Sequence, residues 1–160
     1  MIKQAIFSGG CFWGMEAKFK TLKGVVSTMA GYTGGFTENP TYRDVCRDLT
    51  GHVEAVQVDY DPEIISYRDL LEAFFRFHDP TWCQSNSRSF ASQYRSAIFV
   101  TDQEQREIAE QVIAFLNVSG VYECKIVTEV NDAGIFYPAE EYHQDYYAKH
   151  QVKLTQDCGC

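Results

Sequence analysis

The chain has 160 residues and 45% hydrophobic content, which suits one domain with a real core and predicts a single unit over 1–160 without linker or repeat. A net charge of −8 with scattered Lys and Arg argues against a nucleic-acid surface, and no apolar run approaches the ~20 residues of a membrane span. The opening MIKQAIFSGG carries no export pattern, so a cytoplasmic protein is expected; a monomer is expected as well.

The predicted elements follow in chain order. KQAIFS, residues 3–8, reads as a strand, and Cys11 to Leu22 as a helix with Phe12, Met15, Phe19 and Leu22 on one face and Gly24 as a stop. Val25 to Ala30 is a second strand. Residues 31–52, rich in Gly with Asn39 and Pro40, read as a long irregular excursion, which in a compact domain is usually functional. HVEAVQVDY, residues 52–60, is the clearest strand. Ser66 and Asp69 form a capping box for a helix whose buried stripe is Leu70, Leu71, Phe74, Phe75 and His78. Residues 79–93 are loop, and Arg95 to Thr101 is a strand. Thr101 and Glu104 form a second capping box for a helix to Leu116. Lys125 to Glu129 is an edge strand, Glu140 to His150 a short helix, and 151–160 a mobile tail ending in QDCGC. The order β-α-β-β-α-β gives an α+β fold with a ferredoxin-like, split β-α-β core and long loops.

Six cysteines occur, at 11, 46, 83, 124, 158 and 160, without any C-x-x-C. With a core this large, disulfide staples are not needed, so the thiols are expected to be reduced, catalytic or metal-bound. Cys11 lies where a strand ends and a helix begins. The helix dipole there favours the thiolate, the reactive form, and Gly9 and Gly10 keep the turn open. By position alone it is either a nucleophile or a structural cysteine. Alternation in HVEAVQVDY puts Glu54 on one face with His52, Val56, Val58 and Tyr60. If that face is buried, Glu54 loses hydration, keeps its proton to higher pH and can act as an acid; if the strand end frays, it is an ordinary solvated carboxylate. Tyr42 and Tyr94 lie at loop boundaries where a phenol can donate into a cleft. His143 and His150 share a helix face if 140–150 is one helix, and with Cys158 and Cys160 they define a zinc alternative, though no pair has a standard ligand spacing. No metal or other cofactor is predicted.

GCFWG at 10–14, GYTGG at 31–35, NPTY at 39–42, TGHVEAV at 50–56, YDP at 60–62, HDPT at 78–81, QYRSAIF at 93–99 and FYPAEEYHQDYY at 136–147 together resemble the peptide methionine sulfoxide reductase A family, in its order and over nearly the whole chain. The resemblance implies an oxidoreductase acting on the S epimer of methionine sulfoxide, free or in proteins, in repair of oxidative damage. Cys11 would be the nucleophile, Glu54 the acid that protonates the leaving oxygen, and Tyr42 and Tyr94 its hydrogen-bond donors. Phe12, Trp13 and His143 would line the substrate site. A Cys11 sulfenic acid would condense with Cys158 or Cys160, with Cys46 as the alternative resolver, and a thioredoxin-type protein would regenerate the enzyme.

One loop departs from the family. Where relatives carry an NRQGND-x-G pattern, this chain reads QSNSRSFA at the same length, so Ser89 stands at the family's aspartate; Trp82 and Cys83 just before this stretch are unexplained, Cys83 reading as an extra redox thiol or an inert loop cysteine. A binder of oxidised methionine that does not turn over is therefore a competing reading, alongside the small metal-binding domain. Cys124 is expected to be structural.

Overall fold

A computed structural model describes residues 1–81 and 92–154 of the chain. One six-stranded sheet is formed by β1 (Lys3–Ser8), β2 (Val25–Thr33), β3 (Val53–Tyr60), β4 (Ala97–Val100), β5 (Glu129–Asp132) and β6 (Tyr137–Pro138), in the order β5-β4-β1-β3-β2-β6. The inner four strands give the expected split β-α-β order, antiparallel throughout, and β5 joins β4 in parallel.

The helices α1 (Phe12–Lys20), α3 (Tyr67–Phe77) and α4 (Gln103–Ser119) contribute to the main core, and the short α2 (Tyr42–Cys46) and α5 (Tyr146–Lys149) sit nearer the site. The main core lies between sheet and helices. Phe7 of β1 stacks on Phe19 at 5.1 Å and on Phe74 at 5.0 Å, so one strand residue joins two helices. A smaller cluster of Ile6, Val53, Ala55, Ala97 and Phe99 covers the other face. β3 is thus apolar on both faces, and its alternation falls as expected: Val56, Val58 and Tyr60 enter the main core, Val53 and Ala55 the smaller one. The Ser66–Asp69 capping box forms with both of its hydrogen bonds, at 3.0 and 3.1 Å. Among the described residues no helix is long and apolar enough to cross a membrane.

Several boundaries differ from expectation. β2 continues to Thr33 because Gly31, Tyr32 and Thr33 pair with Ala55, Glu54 and Val53. The 31–52 excursion contains α2, whose Thr41–Asp44 capping box makes both bonds. The cap of α4 is Asp102, which accepts from the Gln105 N–H at 2.8 Å, rather than Thr101. The run from Lys125 does not begin an edge strand. Ile126 bridges to Thr81 and the Val127 N–H donates to Pro80, so pairing with β4 starts only at Glu129. Residues 140–150 are not one helix. The Gln144 side chain bonds both the N–H and the carbonyl of Ala30 on β2, and Asp145 turns to φ 57°, which separates a 3-10 turn at Glu141–His143 from α5. His143 and His150 therefore do not share a helix face, and the spacing behind the zinc alternative is lost. The tail residues 155–160 and the divergent loop at 82–91 lie outside the described residues, with Cys83, Ser89, Cys158 and Cys160 among them.

Candidate active site

Cys11 sits at the N-cap of α1, directly after β1. Gly10 makes the turn at φ +82°, a conformation that side chains with a Cβ resist, and its N–H donates to the Tyr94 carbonyl at 3.1 Å. That bond ties the turn to the short helix that ends in Tyr94. Beneath it, a Cβ on Gly9 would lie 2.8 Å from the His78 ring. Burial pushes the His78 imidazole down to about 4, against the opposing bond to the Phe74 carbonyl, so this support is neutral. Cys11 is half-buried, packs against the main core and is disulfide-bonded; Cys124, expected to be structural, is disulfide-bonded as well, against the reading that this chain needs no disulfides.

Glu54 is 1% exposed, so it is not the solvated carboxylate of a frayed strand end. Its Oε1 accepts the Phe12 N–H at 3.1 Å. That N–H belongs to the first turn of α1, where no helical carbonyl can reach it. The carboxyl is therefore anchored one residue from Cys11. Its Oε2 is buried and, among the described residues, without a hydrogen-bond partner. Burial pushes Glu54 up to about 7, only partly offset by the Phe12 N–H. At neutral pH this group holds a proton part of the time and has a free oxygen from which to donate it.

Aromatic side chains enclose these two groups. Phe12 is 1% exposed, with its ring 5.7 Å from Tyr32, 6.5 Å from Tyr42 and 5.2 Å from His143. Trp13 is half-buried and stacks on Tyr146 at 3.7 Å. Its indole N–H donates to Nδ1 of His143 at 2.8 Å, which puts the imidazole proton on Nε2. Burial lowers the His143 pKa against the pull of Glu140. Tyr42, on α2, has its ring 4.3 Å from His143, and its phenol lies near the Cys46 thiol. Burial first, then Cys46 and the charge of Glu54, raise the Tyr42 pKa, so it stays a donor. Cys46 is a free, exposed thiol that also accepts from the Gln93 side chain at 3.8 Å.

The structure thus gathers Cys11, Phe12, Trp13, Tyr42, Glu54 and His143 around the start of α1, with the Tyr94 carbonyl bonded to the Gly10 N–H beside them. Two carboxylates escaped the sequence reading. Glu16, 2% exposed on α1, accepts from Thr28 Oγ1 at 2.9 Å and from the Asp145 N–H at 2.8 Å, which docks the segment behind His143 onto α1. Glu140 accepts from both Tyr32 and Tyr42. Both stand inside quoted or adjoining motif text, yet a carboxylate that bonds backbone N–H groups far away in sequence leaves no local pattern. A thiol position beside a proton-holding carboxyl, with phenols and an indole around it, can attack an electrophilic atom while protonating the oxygen that leaves it.

The family model for peptide methionine sulfoxide reductase matches residues 3–158. The chain is 51% identical to the peptide methionine sulfoxide reductase MsrA of Ligilactobacillus salivarius, over 94% of this chain and 88% of that one. Among solved structures, Mxr1 of Saccharomyces cerevisiae in reduced form superposes with a TM-score of 0.85 at 32% identity, covering 99% of this chain and 90% of that one. Mxr1 in complex with Trx2 superposes with a TM-score of 0.60 at 26% identity, covering 91% and 84%.

Proposed function

The chain belongs to the peptide methionine sulfoxide reductase family, and from that premise we propose that it reduces methionine S-sulfoxide, free or in proteins, through a Cys11 sulfenic acid. The observation that carries the mechanism is the Glu54 carboxyl, buried, raised to about 7 and anchored on the Phe12 N–H beside Cys11, with Oε2 unpartnered among the described residues. A sulfoxide is a poor electrophile because its oxygen is a poor leaving group. The Cys11 thiolate attacks the sulfoxide sulfur while Glu54 gives its proton to the oxygen, a general-acid contribution of ~10²–10⁴-fold. Tyr42 and Tyr94 donate hydrogen bonds to that oxygen as charge develops on it. Trp13, held flat by Tyr146 and His143, and Phe12 take the S-methyl group.

The oxygen ends on Cys11 as a sulfenic acid, and the substrate leaves as the thioether. A second thiol, Cys158 or Cys160, condenses with the sulfenic acid, forming a disulfide and releasing water. A dithiol reductant of the thioredoxin type then takes up the oxidising equivalents. The disulfide at Cys11 supports condensation with a second thiol, and the Mxr1–Trx2 complex supports recycling by a thioredoxin-type protein. Cys46, four residues after Tyr42, is the alternative resolver.

The test pairs two proteins. Cys11→Ser should fold normally and form no methionine. A chain ending at Gln156 should make about one methionine per enzyme and then stop in a thioredoxin-coupled assay. Turnover by Cys11→Ser would sink the nucleophile assignment, and sustained coupled turnover by the shortened chain would move resolution to another thiol.

A further inference from the structure

We infer that Glu140 is a positioning residue that sets the Tyr42 phenol through a two-point clamp, one carboxylate oxygen on Tyr32 and the other on the Tyr42 backbone N–H. The clamp rests on the reading of Tyr42 as a donor to the sulfoxide oxygen. Oε1 accepts from the Tyr32 hydroxyl at 2.9 Å, and Oε2 accepts the Tyr42 N–H at 3.0 Å. Oε2 has a further, marginal contact with the Tyr142 hydroxyl at 3.5 Å.

Each partner belongs to a different wall of the site. Tyr32 lies on β2 directly opposite Glu54 in the register and is fully buried. Tyr42 is the first residue of α2, and its N–H is one of the donors that a helix start leaves without a helical acceptor. The Thr41–Asp44 capping box spends itself on the N–H groups of Asp44 and Thr41 and leaves this one over. Glu140 itself begins the 3-10 turn that carries His143, whose N–H donates to the Glu140 carbonyl at 2.9 Å. One carboxylate therefore joins the strand beside the acid, the helix start that aims the phenol and the turn that holds the indole's acceptor.

A five-residue helix has too few internal bonds to fix its own start, so the direction of the Tyr42 side chain depends on what grips its backbone. Burial works to raise the Glu140 pKa, but the N–H of Tyr42, its own backbone N–H and Tyr32 outweigh it and hold the group below the usual carboxylate range. The clamp is ionised at neutral pH and offers acceptors only. Glutamine in its place has one acceptor oxygen and an amide NH2, so it can hold the Tyr42 N–H only by making the Tyr32 hydroxyl turn from donor to acceptor. A misplacement of ~1 Å at a reacting group can cost ~10²-fold in rate.

The experiment is a double-substitution cycle on the full chain with a peptide carrying methionine S-sulfoxide: wild type, Glu140→Gln, Tyr42→Phe and the double variant, each followed in single turnover and by thermal midpoint. Glu140→Gln is expected to slow the chemical step ~10- to 100-fold, and in the Tyr42→Phe background to slow it less than ~3-fold, because the phenol it aims is gone. Effects that multiply fully, or a rate loss that follows only a fall in thermal midpoint, would make Glu140 a structural residue and overturn the inference. Tyr42→Phe at the wild-type rate would instead overturn the oxygen-binding role of Tyr42, and with it the route by which Glu140 acts. If Glu140→Gln does not fold, Glu140→Asp, which keeps the charge but shortens the reach, takes its place in the cycle with the same outcomes.

Discussion

Replacing Glu54 with glutamine keeps the side chain's shape and its acceptor for the Phe12 N–H, but removes the proton. Two consequences of different kind follow. Loss of the general acid should slow sulfoxide reduction by ~10²–10⁴-fold, which is about 3–5 kcal/mol of barrier. The loss should be largest at pH 6, where Glu54 with a pKa of about 7 is mostly protonated, and should narrow above pH 8 as the wild type runs out of acid. The second consequence concerns folding. The folded-state pKa is raised from 4.5 to about 7, so the stabilisation from proton binding is complete below 4.5 and is lost as pH rises through 7. At 1.36 kcal/mol per unit, the wild type should lose about 3 kcal/mol relative to Glu54→Gln between those limits, then run parallel to it. Rapid-quench single turnover from pH 5.5 to 9 and urea denaturation of both proteins at pH 4.5, 6 and 7.5 measure the two effects. A rate ratio that does not change with pH, or stability curves that stay parallel below pH 7, would refute a buried, proton-donating Glu54.

Two further outcomes are expected. His143→Leu removes the acceptor of the Trp13 indole while filling most of the space. It should raise KM for a sulfoxide peptide about tenfold, near the 1–3 kcal/mol of an orphaned donor, with a smaller change in kcat; an unchanged KM would exclude the indole as a substrate wall. Gly31→Ala places a Cβ 2.5 Å from both the Phe136 ring and the Tyr137 carbonyl. It should destabilise the fold by about 1–3 kcal/mol in denaturant titration, and wild-type stability would contradict the close β2–β6 approach.

The parts of this protein that sequence made visible are those governed by local pattern. The alternation of HVEAVQVDY grouped Glu54 with Val56, Val58 and Tyr60, which the structure buries in the main core, and Ser66 with Asp69 marked the start of α3, because both signals are written within a few residues of the structure they describe. The Thr41–Asp44 box was equally local, and α2 escaped notice only because its five residues lie within a glycine-rich stretch. The division of 140–150 was not legible: the helical spacing is real, but Gln144 finds the edge of β2 and Asp145 bends to meet Glu16. In the same way, the run after Lys125 has strand chemistry, yet Thr81 and Pro80 capture it before β4 can. In the site, residue types pointed to Cys11, Glu54 and the aromatics. What tunes them was hidden in contacts across the chain: the N–H of Phe12 on Glu54, the imidazole of His143 on Trp13 and the carboxylate of Glu140 on Tyr42.

The most direct measurement mixes the reduced full chain with the separate R and S epimers of a methionine sulfoxide peptide, without external reductant, and counts methionine formed and thiols remaining. Methionine from the S epimer only, with two thiols lost for each molecule made, is the expected result, since one sulfur takes the oxygen and a second resolves it. No methionine from either epimer while the peptide still binds would contradict the Cys11–Glu54 chemistry and leave a binder built on a reductase scaffold.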